Sequence, residues 1–379
     1  MNIIVKEVFE SYGKGVEFTR QKIKIKLKED GVPEEMIARL LEMISNTDPF
    51  LQAKEQLEKE SRRTKFVKDS FPNVEPETVF LSPENSSIKE TYQYVPIGAA
   101  LKNLMEDETY IAQMINDPYH HDPNLIQDVR DGECFRKNPF FQNNPEAVPL
   151  ILFQDELEIC NPIGPGKTRH KLNCTYFTSM HIQPALRSKV QGVQLVSLVK
   201  SKLWKKYGNK NCNQRLVDDL KLLENEGIEI LKPVKRIVKA GLQFIVGDNL
   251  GQHTLAEMNQ VFSSGRICRW CVTTYDEVCK QGLCYKNCRE GFEPNEWTVD
   301  KYNELAEKAT EEGRSAETLG VSGHCVFNQL ESFHCIKQMP PCIGHDFFEG
   351  CFSYDVQFLL DFVITKDSGF CNYQGEVDN

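Results

Sequence analysis

The sequence predicts an α/β fold: a mainly helical N-terminal region, then a mixed sheet interrupted by a cysteine-rich insertion before its last helix. Three observations predict it. Two apolar runs of strand length, PLILFQDELEI (149–159) and LQFIVGDNLG (242–251), each meet acidic residues near their ends. Helix-spaced apolar residues fill the stretches that precede and separate them. Residues 263–342 hold eight of the 14 cysteines and show little periodicity, which marks them as an insertion rather than a run of regular elements.

In chain order, VPEEMIARLLEMI (32–44) carries Pro33 near its start and then Met36, Ile37, Leu40, Leu41 and Ile44 at helix spacing. LQAKEQLEKESRRTKFVK (51–68) is charged with little apolar stripe, so a solvated helix is expected. Residues 69–92, rich in Pro, Ser, Glu and Asn, read as a linker, 94–115 as a second amphipathic helix, and 116–149 as a connecting loop. The strand 149–159 is followed by a turn at NPIGPGK (161–167) and by two further strands, HKLNCTYFTSMHI (170–182) and VQLVSLVKS (193–201). NQRLVDDLKLLENEG (213–227) is a helix that Gly227 stops. The strand 242–251 comes next, then a helix at HTLAEMNQVF (253–262) and a closing helix at HDFFEGCFSYDVQFLLDFVI (345–364). Strand, strand, strand, helix, strand, helix, insertion, helix is the order of an RNase H-like mixed sheet interrupted before its last helix. The expected regions are a helical N-terminal part (1–68), a linker with a helical segment (69–148), and a sheet domain (149–379) with its insertion at 263–342.

Composition narrows the function classes. Of 379 residues, 40% are hydrophobic and 26% charged, which is enough apolar material for a sizeable core. The net charge of −10 argues against a protein that coats nucleic acid non-specifically, although a local basic face is compatible with it. No apolar run is long enough to span a bilayer, so no membrane association is expected. The opening MNIIVKEVFESYGKG is too charged for a signal peptide, which points to an intracellular protein whose cysteines are thiols or metal ligands.

Asp155 falls in the first strand of the sheet domain and Asp248 at the end of the fourth. Neighbouring strands would aim both carboxylates into one pocket, where Mg²⁺ or Mn²⁺ could be held by oxygen ligands. A third carboxylate is expected from the closing helix, Glu349 first and Asp346 second. Glu156 and Glu158 compete with Asp155, and on an alternating strand Glu156 faces the other way from it. Cys268 and Cys271 form a CxxC pair with the spacing of two Zn²⁺ ligands. His345 and His334 are the best distant partners, with Cys335 and Cys342 next. Such a structural zinc would brace the closing helix against the other carboxylates. Cys279, Cys284 and Cys288 read as free thiols and His120-His121 as a surface pair. KSKLWKKYGNKN (200–211) interleaves Trp204 and Tyr207 with Lys200, Lys202, Lys205, Lys206 and Lys210. It could track a DNA backbone or be a solvated helix whose aromatics pack on the sheet.

Four blocks in order, LILFQDELEICNPIGP with His170-Lys171 after it, FIVGDNLGQH, ICRWC and PPCIGHDFFEG, resemble transposases of the CACTA/Mirage/Chapaev group and transposon-derived animal proteins. The resemblance runs over residues 94–365. It implies an RNase H-like fold, a DDE triad with divalent metals, a CxxC in an insertion after the second Asp, and a histidine near the last acid. Position by position it supports Asp155, Asp248, Cys268, Cys271 and His345, with Glu349 or Asp346 as the third acid. It further implies a nuclear protein acting on transposon ends and target DNA as a multimer, a homodimer in the simplest case. No DNA-binding finger is legible in the N-terminal region. The alternatives are a domesticated, catalytically silent nuclear factor that binds DNA or protein, and a nuclease of the same fold without strand transfer.

Overall fold

The computed structural model describes residues 17–47, 59–70, 73–116, 122, 124–158, 171–280, 296–313 and 316–366. The turn 161–167, His170, His120-His121, Cys284 and Cys288 lie outside the described residues. The chain divides into two units, Met1–Asn73 and Val74–Asn379.

The first unit is helical. A helix through residues 17–29 ends at Gly31, whose φ of 76° suits the left-handed turn that lets Val32 N–H donate back to Leu27 O. Helix α1 (Glu34–Thr47) follows Pro33, and Ile37 is buried. Helix α2 (Glu60–Ser70) is charged and mostly exposed, as its composition predicts.

The second unit is a mixed α/β structure built on a six-stranded sheet. Its strands are β1 (Glu77–Phe80), β2 (Thr91–Tyr94), β3 (Val148–Glu158), β4 (Lys171–Ser179), β5 (Gln194–Lys200) and β8 (Ala240–Val246), in the order β1-β2-β5-β4-β3-β8. β3 runs antiparallel to β4 and parallel to β8, and β4 is antiparallel to β5. A separate hairpin pairs β6 (Ile228–Ile230) with β7 (Arg236–Val238). The stretch expected to be a linker thus supplies the edge strand β1 and the start of its neighbour β2. The single helix expected over 94–115 is two, α3 (Ile97–Met105) and α4 (Glu108–Asn116). Asp107 makes the break: its Oδ1 accepts from Thr109 N at 2.9 Å and Tyr110 N at 3.0 Å, starting a new helix.

Helix α5 (Ser201–Asn225) connects β5 to the hairpin and covers one face of the sheet. It starts twelve residues before the expected helix and bends at Gly208, where φ is 77°. Trp204, Cys212, Leu216, Val217, Leu220 and Leu223 are buried in one core with Leu150 and Leu152 of β3, Phe177 of β4, Val196 and Val199 of β5, and Leu242 and Ile245 of β8. Burial of this apolar surface, at about 25 cal/mol per Å², is the main force holding helix to sheet. Buried polar ties fix the register. Tyr94 Oη donates to Asp219 Oδ2 at 2.7 Å. Glu224 accepts from Glu331 N and Ser332 N at 3.0 Å each, while Ser332 Oγ accepts from Leu242 N at 2.8 Å. These bonds pin the late segment around residue 332 to β8.

After β8 come α6 (Asn249–Leu255) and the insertion, which contains α7 (Val299–Glu312). Thr298 caps α7 by accepting from Lys301 N at 3.1 Å, and Gly313 ends it at a φ of 61°. The closing segment is a π-helical stretch, Ile343–Cys351, running into α8 (Phe352–Lys366). The sequence predicts a helix here, but it does not lie buried: Phe347, Phe348, Phe352, Tyr354, Phe358 and Leu359 are exposed. Among the described residues no helix is long and apolar enough to cross a membrane.

Candidate metal centre

The sheet register brings the two aspartates together. Phe153 of β3 pairs with Val246, the last residue of the parallel β8, so Asp155, still inside β3, and Asp248, just past β8, each lie two residues beyond the last paired position of these adjacent strands. Crevices outside such ends are where open sheets of this kind place ligands. Asp155 and Asp248 both line a cleft of about 610 Å³ on the α5 side and a smaller hollow of about 170 Å³ on the side of Cys342 and His345. One oxygen of each carboxylate is fixed by the backbone. Asp155 Oδ1 accepts from Glu156 N at 2.7 Å, and Asp248, the N-cap of α6, accepts from Gly251 N at 2.6 Å. A Cβ on Gly251 would stand 2.7 Å from that Asp248 oxygen, so glycine is what allows the bond. Fixed carboxylates at a strand-end crevice are a donor set that fits a hard divalent cation.

Glu156 lines the same cleft but is paired with Lys171. Burial works against its charge, but the hydrogen bonds of Lys171 Nζ, at 2.5 Å, and of Ser201, with the charges of Lys171 and Lys205, together hold the carboxyl below its usual range. The two candidates for the third acid are placed differently. Asp346 Oδ2 accepts from Cys342 N at 2.8 Å and from an Arg269 guanidinium nitrogen at 3.1 Å, so it is committed to holding the segment. Glu349 is exposed and, with Asp248, is among the charges that raise the pKa of His345. The hydrogen bond with Cys342 is the largest cause of that rise.

The CxxC pair has the local geometry of a metal knuckle. Cys268 Sγ accepts from Trp270 N and from Cys271 N, each at 3.4 Å. A hydrogen bond from Cys268 pulls the Cys271 thiol below its usual range and pushes that of Cys268 up. The distant partners differ from expectation. His345 Nδ1 lies 3.1 Å from Cys342 Sγ, making a second Cys–His pair. His334 is committed elsewhere. Its Nδ1 accepts from Ile336 N at 3.3 Å, its Nε2 is 3.2 Å from Asn328 Nδ2, and its ring meets Tyr302 edge-on at 5.6 Å. Burial pushes its pKa down to about 4. Among the described residues no three Cys, His, Asp or Glu side chains converge as one metal site. The carboxylates and the two sulfur-bearing pairs are therefore partial donor sets, each well formed by itself.

The lysines of 200–211 divide. Lys205 lines the larger cleft beside Asp155 and Asp248. Lys206 and Tyr207 both bond to Glu90, which ties them to the loop before β2. Lys200, Lys202 and Lys210 are exposed, and Trp204 is a core residue rather than a stacking platform.

Two features were not singled out from sequence. Gln154 lines the cleft with its Nε2 buried and unpartnered. Arg269, inside the CxxC, is buried and bonds both Asp346 and Asn249, the residue after Asp248. A buried arginine between two metal-type cysteines is unusual enough to be a usable signal, because Arg is rarely buried unless paired. No protein-family model matches the chain, and neither does any curated protein.

Proposed function

We propose that this chain is the RNase H-like core of a DNA transposase, a metal-dependent enzyme that cleaves a DNA strand and transfers its end. One observation carries the reading: Asp155 and Asp248 stand side by side where β8 ends against the adjacent parallel β3, in a sheet ordered β5-β4-β3-β8, with a covering helix after β5. That order and those strand directions are what an RNase H-like sheet requires, and the resemblance of the four sequence blocks agrees with them.

In this reading Asp155, Asp248 and Glu349 hold Mg²⁺ or Mn²⁺, which would supply charge neutralisation and a water or 3′-hydroxyl of lowered pKa at the scissile phosphate. The chain's own groups orient the substrate. Lys205 stands in the cleft where a phosphate backbone would approach the carboxylates, and Lys200, Lys202 and Lys210 are exposed and free to meet phosphates in this proposal. Cys268 and Cys271, with Cys342 and His345 rather than His334, are the structural Zn²⁺ ligands of this proposal, and DNA ends, a nuclear location and a homodimer are its partners and setting.

A second reading, a catalytically silent factor that binds DNA or protein, is favoured by the lack of convergence of any three metal-type side chains among the described residues. Nicking of supercoiled plasmid by the purified chain separates the two. The enzyme reading expects nicking with Mg²⁺ or Mn²⁺ that Asp248→Asn and Asp155→Asn abolish. A folded protein that never nicks, or nicking that survives in Asp248→Asn, sinks it. Adding a 3′-hydroxyl DNA acceptor then distinguishes a transposase, which joins strands, from a simple nuclease.

A further inference from the structure

Arg269 lies between the two cysteines of the CxxC, with its side chain 3% exposed. Its guanidinium makes three contacts that belong to three parts of the fold. One nitrogen donates to Asn249 Oδ1, on the first residue of α6 next to Asp248. Another donates to Asp346 Oδ2 at 3.1 Å, in the π-helical stretch that carries His345 and Glu349. Its plane stacks on Trp270, 3.9 Å from the ring centroid. Asp346 Oδ2 also accepts from Cys342 N at 2.8 Å, so one carboxylate oxygen joins the arginine to the start of the π-helical stretch. That stretch has few other anchors, since Phe347, Phe348 and Ile343 are exposed rather than packed. Burial of a guanidinium is costly unless its donors are matched; here each of the two Nη nitrogens has a partner, while Nε is buried without one, so the side chain is held by the two ends of its fork.

We infer that Arg269 is a positioning residue: through Asn249 and Asp346 it clamps the π-helical stretch that carries Glu349 to the start of α6, next to Asp248, and so sets how tightly the site binds a divalent cation. The affinity part rests on the metal-centre reading above, while the clamp itself is a property of the described contacts. A planar fork is needed, because Asn249 and Asp346 are met by two separate Nη nitrogens, whose positions a single ammonium nitrogen cannot occupy together. The partners of metal ligands are commonly worth about 10–100-fold in metal affinity.

The test uses the full chain as Arg269→Lys and Asp346→Asn, singly and together, with two readouts. Hydrogen exchange followed by mass spectrometry reads the clamp. Faster exchange is expected in peptides covering 343–351 and 249–252, with the amides of β3, β4 and β8 unchanged as the control for folding. Mn²⁺ titration by electron paramagnetic resonance reads affinity. A loss of about 10–100-fold is expected in each single variant, with the double variant no weaker than the singles because both act through one bridge. Unchanged exchange in 343–351 in folded Arg269→Lys overturns the clamp. Faster exchange with Mn²⁺ affinity within about twofold of the parent overturns the positioning role. If the unaltered chain binds no Mn²⁺ through Asp248, the metal-centre reading fails and the affinity claim with it, while the exchange result still decides the clamp.

Discussion

Acid should loosen this protein through His181, just after β4. The imidazole Nδ1 is buried without a partner, and Arg130, Arg187 and Arg236 are the nearby positive charges. Asp128, the one opposing carboxylate, is already matched: its Oδ1 takes Arg130 Nε at 2.9 Å and its Oδ2 takes Arg187 at 2.5 Å. An imidazolium would therefore be desolvated and repelled. Burial first, and the arginines second, push the pKa from 6.5 down to about 4. Because the folded value lies below the unfolded one, this contribution is complete above pH 6.5 and is lost as pH falls toward 4. At about 1.36 kcal/mol per pH unit, the loss is roughly 2 kcal/mol by about pH 5 and roughly 3 by about pH 4. Urea unfolding of the parent and His181→Gln at about pH 7.5 and about pH 5 measures it. The parent should lose about 2 kcal/mol more than the variant over that interval. Equal losses in the two proteins would refute the reasoning, because no other substituted group separates them.

Other outcomes follow from single contacts. Gly241→Ala places a Cβ 2.6 Å from Phe140 Cε1 and 2.9 Å from Ser332 Cβ, against a ring that is itself buried, so a cost of about 1–3 kcal/mol is expected in thermal melts. An unchanged melting temperature would show that β8 shifts freely. In metal-free protein, iodoacetamide should label Cys271 well before Cys212, whose thiol burial pushes up to about 12, and Zn²⁺ should protect Cys271. Equal labelling rates, read by mass spectrometry, would contradict a lowered Cys271 thiol. Lys205→Ala should weaken DNA binding and lower the slope of log affinity against log salt by about 1, and an unchanged slope would remove Lys205 from the interface.

The central strands were legible because their signal is strong. PLILF and LQFIV are long apolar runs, and the acidic ends of β3 and β8 turned out to be neighbours. β1 and β2 were not, since four-residue strands separated by Pro, Ser and Asn carry no periodicity of their own and are held by the edge of β5. The front half of α5 was obscured by Gly208, whose left-handed φ breaks the helical pattern while burial carries the chain on. Helix α7 was missed because its buried face is Tyr302, Ala306 and Ala309, and alanines contribute little to an apolar stripe. At the site, both aspartates and the CxxC were visible from residue type and spacing. The pairing of His345 with Cys342 was not, because proximity across a π-helical turn has no signature in a sequence read for α-helical faces. His334 was a reasonable ligand by type alone. Its neighbours Tyr302, Asn328 and Ile336, two of them distant in sequence or unremarkable in type, are what take up its ring.

The proposed chemistry turns on a divalent cation shared by Asp155 and Asp248. A crystal soaked in Mn²⁺ and measured at the manganese absorption edge tests it. An anomalous peak bonded to both carboxylates, absent in Asp248→Asn, is expected. Manganese sites elsewhere, with the crevice at the ends of β3 and β8 open to solvent and empty, would contradict it.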